Sequence, residues 1–189
     1  MEKYMKRAIE LAKEAFAEGE VPVGAVVVKK TTGEIVGEGR NRRETAKNAL
    51  AHAEIIAIDE ACRTLGGWRL PECALYVTLE PCSHYGRTPP CALGLIEAGV
   101  SRVVAAMADP NPQVAGKGLK MLADAGIPSA VNLLNEQAEA LNKGFLKRMR
   151  TGKPYVQLKL AMSLDGRTAM ASGESKWITG DAARADVQK

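Results

Sequence analysis

The sequence predicts one α/β domain in which helices cover both faces of a central sheet, a three-layer α-β-α arrangement. Segments with apolar residues at helical spacing alternate along the chain with short apolar or β-branched runs. This alternation is typical of a sheet packed between layers of helices. The chain has 189 residues, of which 46% are hydrophobic, enough for one domain with a buried core.

The first half of the chain predicts two helices and three strands. Gly19 ends the first periodic run and Gly66-Gly67 ends the second, as glycine commonly does at a helix terminus. Thr32-Gly33 lies between two β-branched runs and predicts a hairpin turn. The predicted elements are a helix from Tyr4 to Phe16, a hairpin of Ala25–Val28 with Glu34–Val36, a helix from Ala49 to Leu65, and a buried strand at Leu75–Leu79.

The second half continues the same alternation. Pro89-Pro90 can begin a helix, because proline is tolerated in a first turn, and Gly99 ends it. The other predicted elements are a strand at Arg102–Met107, a helix at Gly118–Ala125, a strand at Ala130–Leu134, a last long helix at Glu136–Arg150, and a strand at Tyr155–Leu160.

Composition excludes several classes of protein. No apolar run approaches the roughly 20 residues that span a bilayer, and the first residues lack a secretory pattern, so we expect a cytoplasmic protein with no membrane partner. The net charge is +4. A basic stretch from Lys143 to Lys159 contains no acidic residue; it is either a solvated helix end or a surface for phosphate or RNA.

One histidine and two cysteines have the spacing of a catalytic metal site. His52 begins a predicted helix, Cys82 follows a buried strand, and Cys91 follows the helix-starting prolines. One imidazole and two thiolates leave the fourth position of a tetrahedral Zn²⁺ open for water, which zinc activates as a nucleophile. Glu54 lies two residues from His52 and can carry the proton to a leaving amine. A His-x-Glu followed by Pro-Cys and a second Cys is the signature of zinc nucleobase deaminases.

The motifs around these residues resemble two members of the cytidine-deaminase-like superfamily, which implies that the central sheet is mixed. From about residue 81 to 189 the chain resembles the bifunctional riboflavin-biosynthesis deaminase/reductase. The motifs that carry this resemblance are Pro81–Cys91, Asp109–Gly116, Leu141–Gly152 and Gln157–Thr179. Residues 1 to about 82 instead resemble the bacterial tRNA adenosine deaminase, through Glu20–Gly24, Asn41-Arg42, Ala51–Ala57 and Trp68–Pro71.

The first half departs from the riboflavin family in two places. That family is expected to carry a Pro-Asn-Pro turn before Val23-Gly24 and a histidine where Asn41 stands, and this chain has neither. Both a recombined or engineered chimera, joined at the shared Leu79–Cys82 segment, and a natural divergent sequence fit these motifs.

The resemblance implies substrate contacts around the metal site. Asn41 would contact a sugar or base, unless it is simply a turn residue. In the loop between the cysteines, Ser83 and His84 would face the substrate. Arg87 and Thr88 would bind the ribose phosphate, with a solvated loop arginine as the alternative.

The resemblance also predicts two domains. Residues 1–150 would form the zinc-dependent deaminase domain, and residues 151–189 the truncated start of a reductase domain. In a complete reductase the counterparts of Lys159, Ala161, Ser175 and Trp177 would contact NADPH or substrate. From this chain alone we expect no reductase activity.

The leading functional prediction is a hydrolytic deaminase of the phosphoribosylated 2,5-diamino-6-hydroxypyrimidine of riboflavin biosynthesis. The alternative keeps the chemistry and changes the substrate to adenosine in a tRNA anticodon loop, which gives the basic stretch a partner. Deamination of another amino-heterocycle, and a zinc-binding module without turnover, are the remaining hypotheses. The resemblance predicts a homo-oligomer.

Overall fold

The computed structural model describes residues 1–112 and 114–187. Gln113 in the Asp109–Gly116 motif, and Gln188 and Lys189 at the end of the predicted second domain, lie outside them. The chain divides after Pro154 into two compact units. The elements of the first unit are α1 (Glu2–Ala17), β1 (Gly24–Lys29), β2 (Glu34–Arg40), α2 (Ala53–Leu65), β3 (Cys73–Val77), α3 (Cys91–Ala98), β4 (Arg102–Ala105), α4 (Lys117–Asp124), β5 (Ser129–Ala130), α5 (Asn135–Leu141) and α6 (Lys143–Thr151). The second unit contains α7 (Asp181–Val187).

The strands form one mixed sheet in the order β2-β1-β3-β4-β5, as the resemblance implied. β1 is antiparallel to both β2 and β3, whereas β3, β4 and β5 run parallel to one another. Gly24 pairs with Arg40 and Ala25 pairs with Val77. This register brings the chain before β1, after β2 and after β3 to the same end of the sheet.

Helices cover both faces of the sheet, which confirms the three-layer prediction. On one face α2, α3 and α4 pack on alternate residues of the strands, including Val27, Leu75 and Val103. On the other face α1, α5 and α6 pack on the intervening residues, including Val26 and Tyr76. The alternation follows from the strand itself, in which successive side chains point to opposite faces.

A glycine brings α2 unusually close to the sheet. A Cβ atom added at Gly39 of β2 would lie 2.1 Å from the carbonyl oxygen of Ala53, the first residue of α2. Only glycine leaves room for this approach. The contact fixes the start of α2, and therefore the residue before it, against the sheet.

Most element boundaries differ from the prediction by a few residues, and four predicted elements differ in an instructive way. α2 begins at Ala53 rather than Ala49, because Asn48 accepts the Leu50 N–H through Oδ1 at 2.9 Å and holds residues 48–50 in a turn. The last strand is shortened to Ser129–Ala130. The last long helix is interrupted at Asn142, whose side chain donates to the Ala138 carbonyl at 3.1 Å, an alternative to continuous helical bonding. Tyr155–Leu160 forms no strand, and the described residues 155–187 contain no strand that could pair with it.

In the described part of the chain, no helix combines the length and apolar character needed to cross a membrane.

Candidate metal centre

Three different element boundaries bring the predicted ligands together. His52 has an extended backbone and directly precedes α2, and Cys91 is the first residue of α3. Cys82 lies in the segment after β3, which Glu80 anchors by donating its N–H to the Met107 carbonyl at 2.9 Å. One ligand atom from each of His52, Cys82 and Cys91 lies within 4.8 Å of the others.

This donor set fits a zinc ion. The His52 Nδ1 and Cys91 Sγ atoms are 3.4 Å apart, and the Cys91 backbone N–H donates to Cys82 Sγ at 3.1 Å. Imidazole nitrogen and thiolate sulfur are the atoms zinc prefers, with bonds of about 2.0–2.3 Å. Three such ligands leave one tetrahedral position open, as in catalytic rather than structural zinc sites.

The thiols of the two predicted cysteine ligands differ in pKa. A hydrogen bond from the Cys91 thiol lowers the pKa of Cys82 to about 4. The hydrogen bond to Cys82 raises the pKa of the Cys91 thiol, and burial adds to the rise. The hydrogen bond to Cys82 raises the pKa of His52. Cys82 is therefore the thiol of this pair that ionises first, and thiolates are the form that binds metal.

Glu54 lies in the first turn of α2 beside the ligands. Its side chain is buried, and burial raises the pKa of its carboxyl group to about 7, with the nearby Cys82 charge adding to the rise. A carboxyl group with a pKa near neutrality can both accept and donate a proton at physiological pH.

Two cavities adjoin His52. The first, of about 150 Å³, is lined by Asn41, Arg43, His52, Glu54 and Cys82, together with Val21, Val23, Ala53 and Leu79. The second, of about 290 Å³, has mostly apolar walls that include Tyr85, Thr88 and Pro90. The first cavity holds the acid–base group and two of the ligands, so it is the candidate site of chemistry.

The predicted substrate-contact residues lie in different surroundings: some line a cavity and others are exposed. Asn41 lines the first cavity and Thr88 the second. Ser83 has a buried Oγ without a hydrogen-bond partner in the described residues. His84 and Arg87 are exposed and line neither cavity. Their roles stay predictions.

The predicted cofactor residues belong to the second unit, where they are mostly exposed. Lys159 Nζ donates to the Asp186 carbonyl at 3.0 Å. The Arg184 guanidinium lies 4.2 Å from the centre of the Trp177 ring. Ala161 and Ser175 are exposed, and no hydrogen bond of the Ser175 hydroxyl is found among the described residues. The NADPH roles of all four residues also stay predictions.

Sequence reasoning missed two residues of the first cavity's surroundings. Arg43 lines the cavity, and its Nε is buried without a hydrogen-bond partner in the described residues. Glu20 is buried behind Asn41. The available signal for Glu20 was its position in the Glu20–Gly24 motif, four residues before β1.

Comparison with known proteins identifies the family. Residues 1–107 match the cytidine and deoxycytidylate deaminase zinc-binding region. The chain belongs to this deaminase family. The family's matched region binds zinc, and the His52, Cys82 and Cys91 group, which could hold a metal ion, lies within it. Residues 154–189 match the RibD C-terminal domain.

Relatives of the deaminase family align with nearly the whole chain. The riboflavin biosynthesis protein RibD of Haemophilus influenzae is 65% identical over 188 residues, 98% of this chain and 48% of that protein. A solved structure from Thermotoga maritima, titled as a diaminohydroxyphosphoribosylaminopyrimidine deaminase/5-amino-6-(5-phosphoribosylamino)uracil reductase, is 43% identical with a TM-score of 0.83, covering 98% of this chain and 51% of that one. The chain thus spans about half the length of these relatives.

The tRNA resemblance is the more distant one. A solved structure from work on A-to-I editing by tRNA:A34 deaminases is 30% identical with a TM-score of 0.63, covering 74% of this chain and 98% of that one. Because the riboflavin relatives align with residues 1–82 as well as with the rest, the sequence requires no junction between two families.

Proposed function

We propose that this chain is a zinc-dependent hydrolytic deaminase of the phosphoribosylated 2,5-diamino-6-hydroxypyrimidine of riboflavin biosynthesis. One observation carries the proposal: a His52, Cys82 and Cys91 ligand set adjoins the buried carboxyl group of Glu54 in one small cavity. The names of the H. influenzae and T. maritima relatives support the choice of substrate.

The residues divide the chemistry between them. His52, Cys82 and Cys91 would hold Zn²⁺, which supplies the Lewis acidity that makes water nucleophilic near neutral pH. Glu54 accepts a proton from the attacking water at its carboxylate and delivers it to the amino nitrogen of the substrate. The ring carbon gains a C–O bond and loses its C–N bond, and ammonia leaves. The apolar side chains of Val21, Val23 and Leu79 line the same cavity.

Arg43 supports a phosphorylated substrate. A guanidinium group with a buried and unpaired Nε beside the cavity offers charge-assisted hydrogen bonds to phosphate oxygens. We place this contact at Arg43 in addition to the predicted contact at Arg87, which is exposed.

The test is a competition assay on the zinc-loaded protein. The phosphoribosyl diaminopyrimidinone and a tRNA anticodon stem-loop are incubated together, and mass spectrometry follows the replacement of an amino group by oxygen in each. Conversion of the pyrimidine supports the proposal, and conversion of the RNA alone overturns it. The Glu54→Gln variant is the control, which we expect to keep zinc and lose turnover.

Deamination of tRNA adenosine is the second candidate function, because the alignment with the structure from the A-to-I editing work covers 98% of that structure's chain. The basic face of α6 would then contact RNA through Lys143, Lys147 and Arg148. In that case binding of the stem-loop should weaken steeply with salt. Zinc content without conversion of either substrate would favour a binding module.

We further propose that residues 1–150 are the deaminase domain and that residues 151–189 begin a reductase domain, in which Lys159, Ala161, Ser175 and Trp177 would contribute to an NADPH site. The division of the chain after Pro154 and the RibD C-terminal match support this boundary. NADPH titration monitored by fluorescence tests the site.

Oligomeric state and compartment complete the proposal. Trp68 is 65% exposed and adjoins an apolar groove beside α2 and α3, which supports a homo-oligomer; sedimentation velocity tests it. All four cysteines are free, and a site that needs free thiols suits the reducing cytoplasm.

A further inference from the structure

A buried carboxylate lies behind the wall of the candidate cavity. Glu20 is only 4% exposed and occupies the segment between α1 and β1. Its Oε1 accepts the Thr45 N–H at 2.7 Å and the Thr45 hydroxyl at 2.9 Å, and its Oε2 accepts from the Asn41 side chain at 3.3 Å. Because a buried charge is costly without such bonds, the network holds Glu20, Asn41 and Thr45 together.

The hydrogen bonds of this network fix the orientation of the Asn41 side-chain amide. Asn41 Nδ2 donates to Glu20 Oε2 and to the Val21 carbonyl, each at 3.3 Å. A carboxylate and a carbonyl can only accept hydrogen bonds, so the nitrogen must face them. Both amide hydrogens are therefore used inside the protein. The oxygen Oδ1 is the polar atom that remains for a ligand, and Asn41 lines the cavity.

We propose that Glu20 is a positioning residue that fixes Asn41 as a hydrogen-bond acceptor toward the substrate. The substrate group bound at this point is consequently a donor, an N–H or an O–H. The proposal rests on the proposed function for the identity of the substrate, but not for the orientation of the amide. It also links the two departures from the riboflavin family, since Glu20 precedes Val23-Gly24 and contacts Asn41.

A variant that replaces the Glu20 acceptor facing Asn41 by a hydrogen-bond donor tests the proposal. In Glu20→Gln the new side chain keeps one oxygen for Thr45 and turns an NH₂ group toward Asn41. The Asn41 amide then either keeps its NH₂ against the new NH₂ group or rotates and sets its oxygen against the Val21 carbonyl. In both cases its oxygen is no longer held toward the substrate. We expect kcat/KM to fall about 10- to 100-fold, through KM more than kcat, because an unmatched buried donor is costly.

The double variant Glu20→Gln/Asn41→Asp separates positioning from a purely structural role. Asn41→Asp alone sets two carboxylates against each other and should lose activity similarly. In the double variant the introduced glutamine donates to one oxygen of the introduced aspartate and offsets its contact with the Val21 carbonyl, while the other oxygen again accepts from the substrate. We expect kcat/KM to recover at least tenfold over either single variant. Additive losses, with zinc content and thermal stability unchanged, would overturn the proposal.

A matched control and a substrate-free readout complete the experiment. Thr45→Val removes one hydrogen bond to Glu20 and leaves the Asn41 contact, so kcat/KM should change less than about threefold. In the zinc-loaded wild type, side-chain ¹⁵N–¹H spectra should show Asn41 amide protons protected from exchange, and Glu20→Gln should abolish the protection. Protons that exchange at the solvent rate in the wild type refute the proposal. An enzyme with protected protons but no activity on the pyrimidine refutes only the proposed substrate.

Discussion

Gly118 offers the sharpest test of how the metal centre is built. It lies in the first turn of α4, and a Cβ atom there would stand 2.0 Å from the carbonyl oxygen of Pro81, the residue before Cys82. Carbon and carbonyl oxygen approach each other to about 3.3 Å at the closest. Gly118→Ala must therefore move α4 or the Pro81-Cys82 backbone by more than about 1 Å.

The expected loss outweighs the gain in helix propensity. Replacing a helical glycine by alanine contributes about 1 kcal/mol, whereas overpacking against backbone costs about 3 kcal/mol or more. We expect Gly118→Ala to lose about 2–3 kcal/mol of unfolding free energy, which lowers Tm by roughly 5–10 °C. Displacement beside a ligand should also weaken zinc binding at least tenfold.

The assays are urea denaturation and zinc competition against a chromophoric chelator. Gly144→Ala in α6 is the matched control, since no heavy atom lies within 4 Å of its added Cβ; it should match or exceed wild-type stability and bind zinc normally. Wild-type stability and zinc affinity in Gly118→Ala would refute the packing argument.

Three further outcomes are expected. Glu80 is buried, and among the described residues its carboxylate accepts the backbone N–H groups of Asp109, Gly116, Gly118 and Leu119. Glu80→Gln should lose about 2–4 kcal/mol of unfolding free energy in urea denaturation, because an amide places donors against donors. A loss below about 0.5 kcal/mol would contradict this. Chelation of zinc should lower the Tm of the wild type but not that of Cys82→Ser, by calorimetry, because ligand binding to the native state stabilises it; equal shifts would place the metal elsewhere. Arg43→Gln should raise KM about tenfold for the phosphorylated pyrimidine with little change for its dephosphorylated nucleoside; equal KM changes in steady-state assays would exclude a phosphate contact.

The cluster of three ligands could be predicted because each ligand follows a local signal. His52 precedes a periodic run, Cys82 follows an apolar strand, and Cys91 follows two prolines. Local signals of this kind mark the ends of elements, and the ends of a sheet's elements are where distant residues meet. The same signals predicted both layers of helices.

The remaining contacts depend on pairings that no local signal encodes. Glu20 meets Thr45 only because β1 and β2 pair in one register, and the register is set by both strands together with the faces they bury. Asn142 interrupts the last helix because its side chain donates to the Ala138 carbonyl. The apolar periodicity around Asn142 does not reveal this hydrogen bond. The predicted strand at Tyr155–Leu160 failed because periodicity describes one chain segment, whereas a strand needs a partner.

The sheet register also explains why one continuous chain builds the cavity wall. β1 is the shared neighbour: it pairs with β2, which leads to Asn41, and with β3, which leads to Cys82. A shift of one residue in either pairing would turn alternate side chains such as Val26 and Val27 to the wrong core. The packing of a single strand therefore fixes the position of the segment proposed to orient the substrate relative to the segment that carries the predicted ligand Cys82. A change that loosens β1, such as filling the close contact of Gly24 with Ala8, should disturb zinc and substrate binding together.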